Sequence, residues 1–153
     1  MITISKVSEF YLYKVERLKS DGRPWVQLAA WDAYQLVQQR LSSEKQASAH
    51  VSKADSLLRS NQWSVASVQY ESAFEILKDI IRIDSVKIGQ VKWQRARCQM
   101  RLKRPDLALD DLKIAFEYNP TLRDTLTAEM ARPENEWKAL EGNRYLRQVL
   151  LKQ

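Results

Sequence analysis

Ala54, Ala66, Tyr70 and Ala73 are separated by steps of 12, 4 and 3, and Ala96, Ala108, Leu112 and Ala115 repeat those steps 42 residues later. Small residues at helical spacing on two successive segments describe a pair of helices that approach closely, and a second such pair able to stack on the first. This pattern commits the chain to helix-on-helix packing, because the spacing serves a strand poorly and a lone helix cannot use it.

The rest of the chain agrees. Only three glycines and four prolines punctuate 153 residues, so long helices are the default. Val7, Phe10, Tyr11, Leu12, Val15 and Leu18 recur every three or four residues between Ile4 and Leu18, and Asp21-Gly22-Arg23-Pro24 ends that helix. A second helix opens at Pro24 with Trp25, Leu28, Trp31, Tyr34, Leu36 and Val37 on its apolar face, and should stop at Ser42-Ser43. Together these make a leading hairpin over 1–46. Further helices are expected from about Ala47 to Arg59, from Trp63 to Ile81, from Asp84 to Leu102, from Pro105 to Tyr118 and from Thr121 to Ala131. Short helical pieces around 137–140 and 145–151 complete the chain. The eight residues by which the 42-residue register exceeds a 34-residue unit are expected to be two extra helical turns around Asp84-Ser85.

Composition narrows the function classes. One cysteine, Cys98, excludes an intrachain disulfide, and one histidine, His50, has no partner for metal or triad chemistry. The glycines stand singly at 22, 89 and 142, so no phosphate-cradling loop is present. No cofactor and no catalytic activity are expected. The amino terminus lacks the charged start and apolar run of a signal peptide, and no stretch approaches a membrane span of about 20 apolar residues, which predicts a cytoplasmic protein. The net charge of +6 is uneven: Lys92, Arg95, Arg97, Arg101, Lys103 and Arg104 fall within 13 residues containing no acid. Such a stripe attracts an acidic peptide or a nucleic-acid backbone, or is simply a solvated helix face.

The residues Trp93 to Leu102, Pro105 to Leu112, Ala115-Phe116 and Asn119-Pro120 resemble one unit of the tetratricopeptide repeat family, over 89–122. Ala54, Leu57-Leu58, Trp63, Ala66, Tyr70 and Ala73 resemble a second, at about 47–80, and Pro133 to Asn143 looks like the tail that caps the last unit in many bacterial members. A length of 153 residues suits one contiguous core, so a single domain over 1–153 is expected. The resemblance implies that this domain would be an all-α right-handed superhelix of antiparallel hairpins, with two units over 47–122 and capping helices over 123–153. It also implies a protein-binding role, with a peptide or helical segment of a partner lying along the groove lined by the first helix of each unit.

Carried onto this sequence, the groove positions are Ser52, Asp55 and Arg59 in the first unit and Trp93, Gln94, Arg97, Met100 and Arg101 in the second, with Ser48, Val51, Leu58 and Gln90 beside them. Arg97 and Arg101 lie one turn apart next to Trp93, which suits a bidentate carboxylate beside an apolar side chain. The plainer reading makes them surface arginines flanking a partly buried tryptophan. The Lys, Asn and Arg clamp with which some relatives hold chaperone tails is not reproduced, since Val51, Asp55 and Gln94 occupy its positions. Two other functions fit the same architecture: nucleic-acid association through residues 92–104, and a small secretion-type chaperone. Neither His50 nor Cys98 is expected to be chemically active, Asp110-Asp111 are expected to face solvent, and most of the five tryptophans are expected in the core.

Overall fold

The computed structural model describes residues 12–80 and 84–151, and these are helical with no strand among them. The chain divides into two compact units, 1–46 and 47–153. Within the expected first helix, Ile4 to Tyr11 lie outside the described residues, as does Ile81 at the end of the fourth.

In the first unit, α1 (residues 12–18) leads into a turn held by Asp21. The Asp21 carboxylate accepts the Arg23 backbone N–H and its Nε–H, each at 2.9 Å. These bonds pull Asp21 down to about 2. α2 then starts at Pro24, where the fixed φ and missing N–H of proline fit a first helical position.

The structure corrects the expected stop at Ser42-Ser43, because α2 runs unbroken over Pro24–Arg59. Residues 42–46 contain neither glycine nor proline, so continuing the helix costs only the small propensity deficit of two serines. An Arg40–Glu44 ion pair one turn apart, at 2.9 Å, crosses the same stretch.

The expected core of the leading hairpin is also corrected. Ala30 is buried, and Val26, Ala33, Tyr34 and Val37 are partly so. Trp25, Leu28, Trp31 and Leu36 point outward instead. These apolar residues nearly encircle α2, and one packed face can cover only part of such a helix.

The second unit contains the end of α2, then α3 (Trp63–Lys78), α4 (Ser85–Arg101), α5 (Pro105–Tyr118), α6 (Leu122–Met130), a 3₁₀ turn (Lys138–Leu140) and α7 (Arg144–Leu151). All eight repeat positions, Ala54, Ala66, Tyr70, Ala73, Ala96, Ala108, Leu112 and Ala115, are 0% exposed. α4 serves two apolar clusters. Its Ile88, Val91 and Cys98 join Tyr70 and Phe74 of α3, and its Trp93, Ala96 and Met100 join Leu112 and Phe116 of α5, together with Trp137 and Leu140.

The 42-residue register extends to the turns. Asn61 and Lys103, 42 apart, both adopt left-handed φ, at 58° and 59°. In each turn the next amide donates to the carbonyl five residues back, Gln62 to Leu57 and Arg104 to Gln99, both at 2.9 Å. This is the Schellman helix stop, and it satisfies carbonyls the helix end would otherwise leave open. Lysine is a costly residue for that conformation, so Pro105, which follows, marks this stop in the sequence more plainly than Lys103 does. α4 begins as expected, with Asp84 accepting the Val86 N–H at 3.0 Å. Of the eight surplus residues, 81–88, Ser85 to Ile88 form one added turn at the start of α4 and Asp84 caps it, while 81–83 lie outside the described residues.

Gly89 is the tightest point of this packing. A Cβ there would lie 2.6 Å from the Asn119 Cβ and 2.9 Å from the Ala115 carbonyl oxygen. Gly89→Ala should therefore destabilise by about 1–3 kcal/mol despite its gain in helix propensity. The check is a lowered urea midpoint at unchanged slope.

Candidate protein-binding face

The second unit presents the end of α2 and one side of α4 at its surface. Ser52, Asp55 and Arg59 are exposed on α2, Arg101 is exposed on α4, and Gln94 and Arg97 are half-buried there. The other two groove candidates are corrected: Trp93 is 2% exposed and Met100 8%. What covers Trp93 is Trp137, whose ring centroid lies 5.0 Å away and which is itself fully buried. Trp137 Nε1–H donates to Glu129 Oε2 at 2.7 Å, giving the buried indole its polar partner. Trp93 therefore belongs to the core and offers no platform to a ligand.

The arginines are engaged too. Arg97 Nε–H donates to Glu136 Oε1, and Arg101 Nε lies 3.3 Å from Glu136 Oε2. This pair, whose spacing suits a bidentate carboxylate, holds one of the chain's own. The Arg101 guanidinium also lies over the Trp63 ring at 5.6 Å. A cavity of about 160 Å³ opens here, bordered by Arg97, Arg101, Arg132, Glu129, Glu134 and Glu136. Three cations and three carboxylates leave it no net attraction for an anion. On α2, Asp55 accepts the Tyr70 hydroxyl at 2.5 Å. Burial, first, and the Asp55 carboxylate, second, push the Tyr70 phenol well above its usual range, so it stays a donor.

The basic stripe is largely neutralised within the fold. Lys92, with 3% of its side chain exposed, places Nζ 2.6 Å from Glu71 Oε2 and 3.3 Å from Asp111 Oδ1. Arg95 Nη1 lies 2.6 Å from the same Asp111 oxygen and 3.2 Å from Glu71. The Phe74 ring packs under Lys92 Nζ at 4.0 Å. Asp111, expected in solvent, is thus corrected to a buried residue joining α4 and α5, while Asp110 is exposed and pairs with Lys113. Burial raises the Asp111 carboxyl against the pull of Arg95 and Lys92. Of the six cations only Lys103 and Arg104 remain exposed outside these ion pairs.

His50 Nδ1 meets Gln69 Oε1 at 2.8 Å, tying α2 to α3. Cys98 is fully buried, and burial pushes its thiol up to about 11. At pH 8 the thiolate fraction should be on the order of 0.1%, so a disulfide reagent should leave the native thiol unmodified and titrate one thiol in guanidinium. Among the described residues no cluster of His, Cys, Asp and Glu could hold a metal ion, and no helix is long and apolar enough to cross a membrane.

Glu71, Asp111 and Glu136 are the partners sequence reasoning missed. Glu136 lies 39 residues from Arg97 and Glu71 lies 21 from Lys92, separations at which no periodicity speaks. No family model, curated protein or solved structure matches the chain.

Proposed function

We propose that residues 47–153 form a tetratricopeptide-like protein-binding module, which holds a segment of a partner protein along the face shared by α2 and α4. The observation that carries this reading is the complete burial of all eight repeat positions, with a Schellman stop in both turns. Two hairpins of one design then lie over 47–80 and 89–122, and residues 123–153 cap their stack. That arrangement turns Ser52, Asp55, Arg59 and Arg101 outward, with Gln94 half-buried beside them. Arg59 and the solvent side of Arg101 suit acidic groups on the partner, and Asp55 a basic one, so the segment recognised is of mixed charge rather than uniformly acidic. The pairing of Lys92, Arg95, Arg97 and Arg101 with carboxylates favours a protein partner over a phosphate backbone, which binds in proportion to uncompensated cations.

The test follows from the same geometry. Reversing Arg97 and Arg101 would bring three carboxylates together at Glu136, confusing lost binding with a dislodged cap. Arg59→Glu combined with Ser52→Arg alters exposed residues only. Affinity capture from the native host should lose its specific partner with this variant and retain it with Glu117→Lys, an exposed substitution on α5, while helical circular dichroism stays unchanged for both. Identical captured sets from the wild type and the α2 variant would overturn the proposal.

A further inference from the structure

The first unit leaves a second surface open. On α2, opposite buried Ala30, Trp25 is 68% exposed, Leu28 66%, Trp31 49% and Leu36 67%. At 3.6 residues per turn, Trp25, Leu28 and Leu36 fall within roughly 80° of arc. Asp32 lies between them and Ala29 roughly 20° beyond Leu36, and Asp32 is the only ionisable group among these five residues. Trp31 borders the stripe, its ring edge-on to Tyr34 at 6.2 Å and under Lys19 Nζ at 4.1 Å. Single exposed leucines are ordinary, but large apolar side chains gathered on one stripe mark an interaction surface.

We infer that this stripe is a self-complementary interface between two copies of the chain. Its spacing is close to palindromic. When α2 of one copy lies antiparallel to α2 of another, Trp25 faces Leu36 at both ends and Ala29 faces Asp32 in the middle, as a two-fold axis requires. Large residues therefore bracket small ones, which lets the helices approach. The area also suffices: Trp25, Leu28, Ala29, Asp32 and Leu36 leave roughly 500 Å² open per copy, so a pair buries on the order of 1,000 Å², the lower edge for a specific interface. Association in the range of roughly 1–100 μM is the expected consequence of an interface that small.

Asp32 supplies a signature that a partner of different sequence would lack. Near the two-fold axis the two Asp32 carboxylates come within about 10 Å of each other, so Asp32→Asn should tighten self-association about fourfold at low salt, and less at high salt. Sedimentation equilibrium of the full chain should show a monomer–dimer equilibrium. Trp25→Glu and Leu36→Glu should each weaken it at least tenfold with unchanged helical circular dichroism, and the milder Leu36→Ala should weaken it to a smaller degree. A chain that stays monomeric to 200 μM, including one that captures another protein through this stripe, overturns the inference. So does a dimer that survives both glutamate variants, or one indifferent to Asp32→Asn. Partner capture through Arg59 and Ser52 is read separately, so either proposal can fail alone.

Discussion

Asp111→Ala should destabilise the second unit by about 3–5 kcal/mol, measured as a lowered urea midpoint. The carboxylate sits between Lys92 and Arg95 with only 3% of its side chain exposed. Removing it leaves the Lys92 ammonium, also 3% exposed, with Glu71 as its remaining carboxylate partner. Most of the loss is thus the cost of a buried cation short of its counter-charge, not the value of the ion pair itself. A second variant separates the two contributions. Lys92→Met with Asp111→Leu removes both buried charges, leaves Arg95 with Glu71, and should recover most of the stability. If the double variant is as unstable as Asp111→Ala, the network contributes through attraction rather than through avoided desolvation.

Trp137→Ala should cost a similar 3–5 kcal/mol, as expected for truncating a fully buried tryptophan. The indole meets Trp93 and donates to Glu129, so its loss opens a cavity, exposes Trp93 and leaves Glu129 without that donor. The adjoining Glu136 should also lose its hold on Arg97 and Arg101. Thermal unfolding measures the first effect, and increased acrylamide quenching of the remaining tryptophans measures the exposure of Trp93. Trp137→Phe keeps most of the ring while losing the hydrogen bond, and should cost about 1–2 kcal/mol. Equal losses for the two variants would show that the hydrogen bond, not the packing, holds the carboxy-terminal segment.

These two sites mark where sequence reasoning ended. Helix starts at Pro24, Trp63, Ser85 and Pro105 were legible because their signals are local: a proline at a first turn, an aspartate cap, an apolar period. The break expected at Ser42-Ser43 failed for a local reason as well, since serines weaken a helix without stopping it. Of the groove candidates, Ser52, Asp55, Arg59 and Arg101 are exposed, and Gln94 and Arg97 are partly so. Trp93 and Met100 were misplaced because a helical wheel shows which residues share a face and not what packs over it. Trp25 and Trp31 erred in the opposite direction, since apolar character alone does not supply a covering element.

By itself the sequence determined that the described chain is helical, and it singled out eight residues that the fold buries completely. Both follow from spacing within a few turns, and a side chain without bulk at a fixed interval has one evident use, close approach. Only the tertiary structure decided how the charges are spent. Arg97 meets Glu136 and Lys92 meets Asp111 because helices distant in sequence bring them within hydrogen-bond reach. Electrostatic partnership depends on distance in space, which falls off over a few ångströms and leaves no periodic trace along the chain. The basic stripe legible in the sequence is therefore, in the fold, mostly an internal fastening. The repeat that the stripe accompanies remains the chain's governing feature, because close packing of small residues is written in one dimension before it is realised in three.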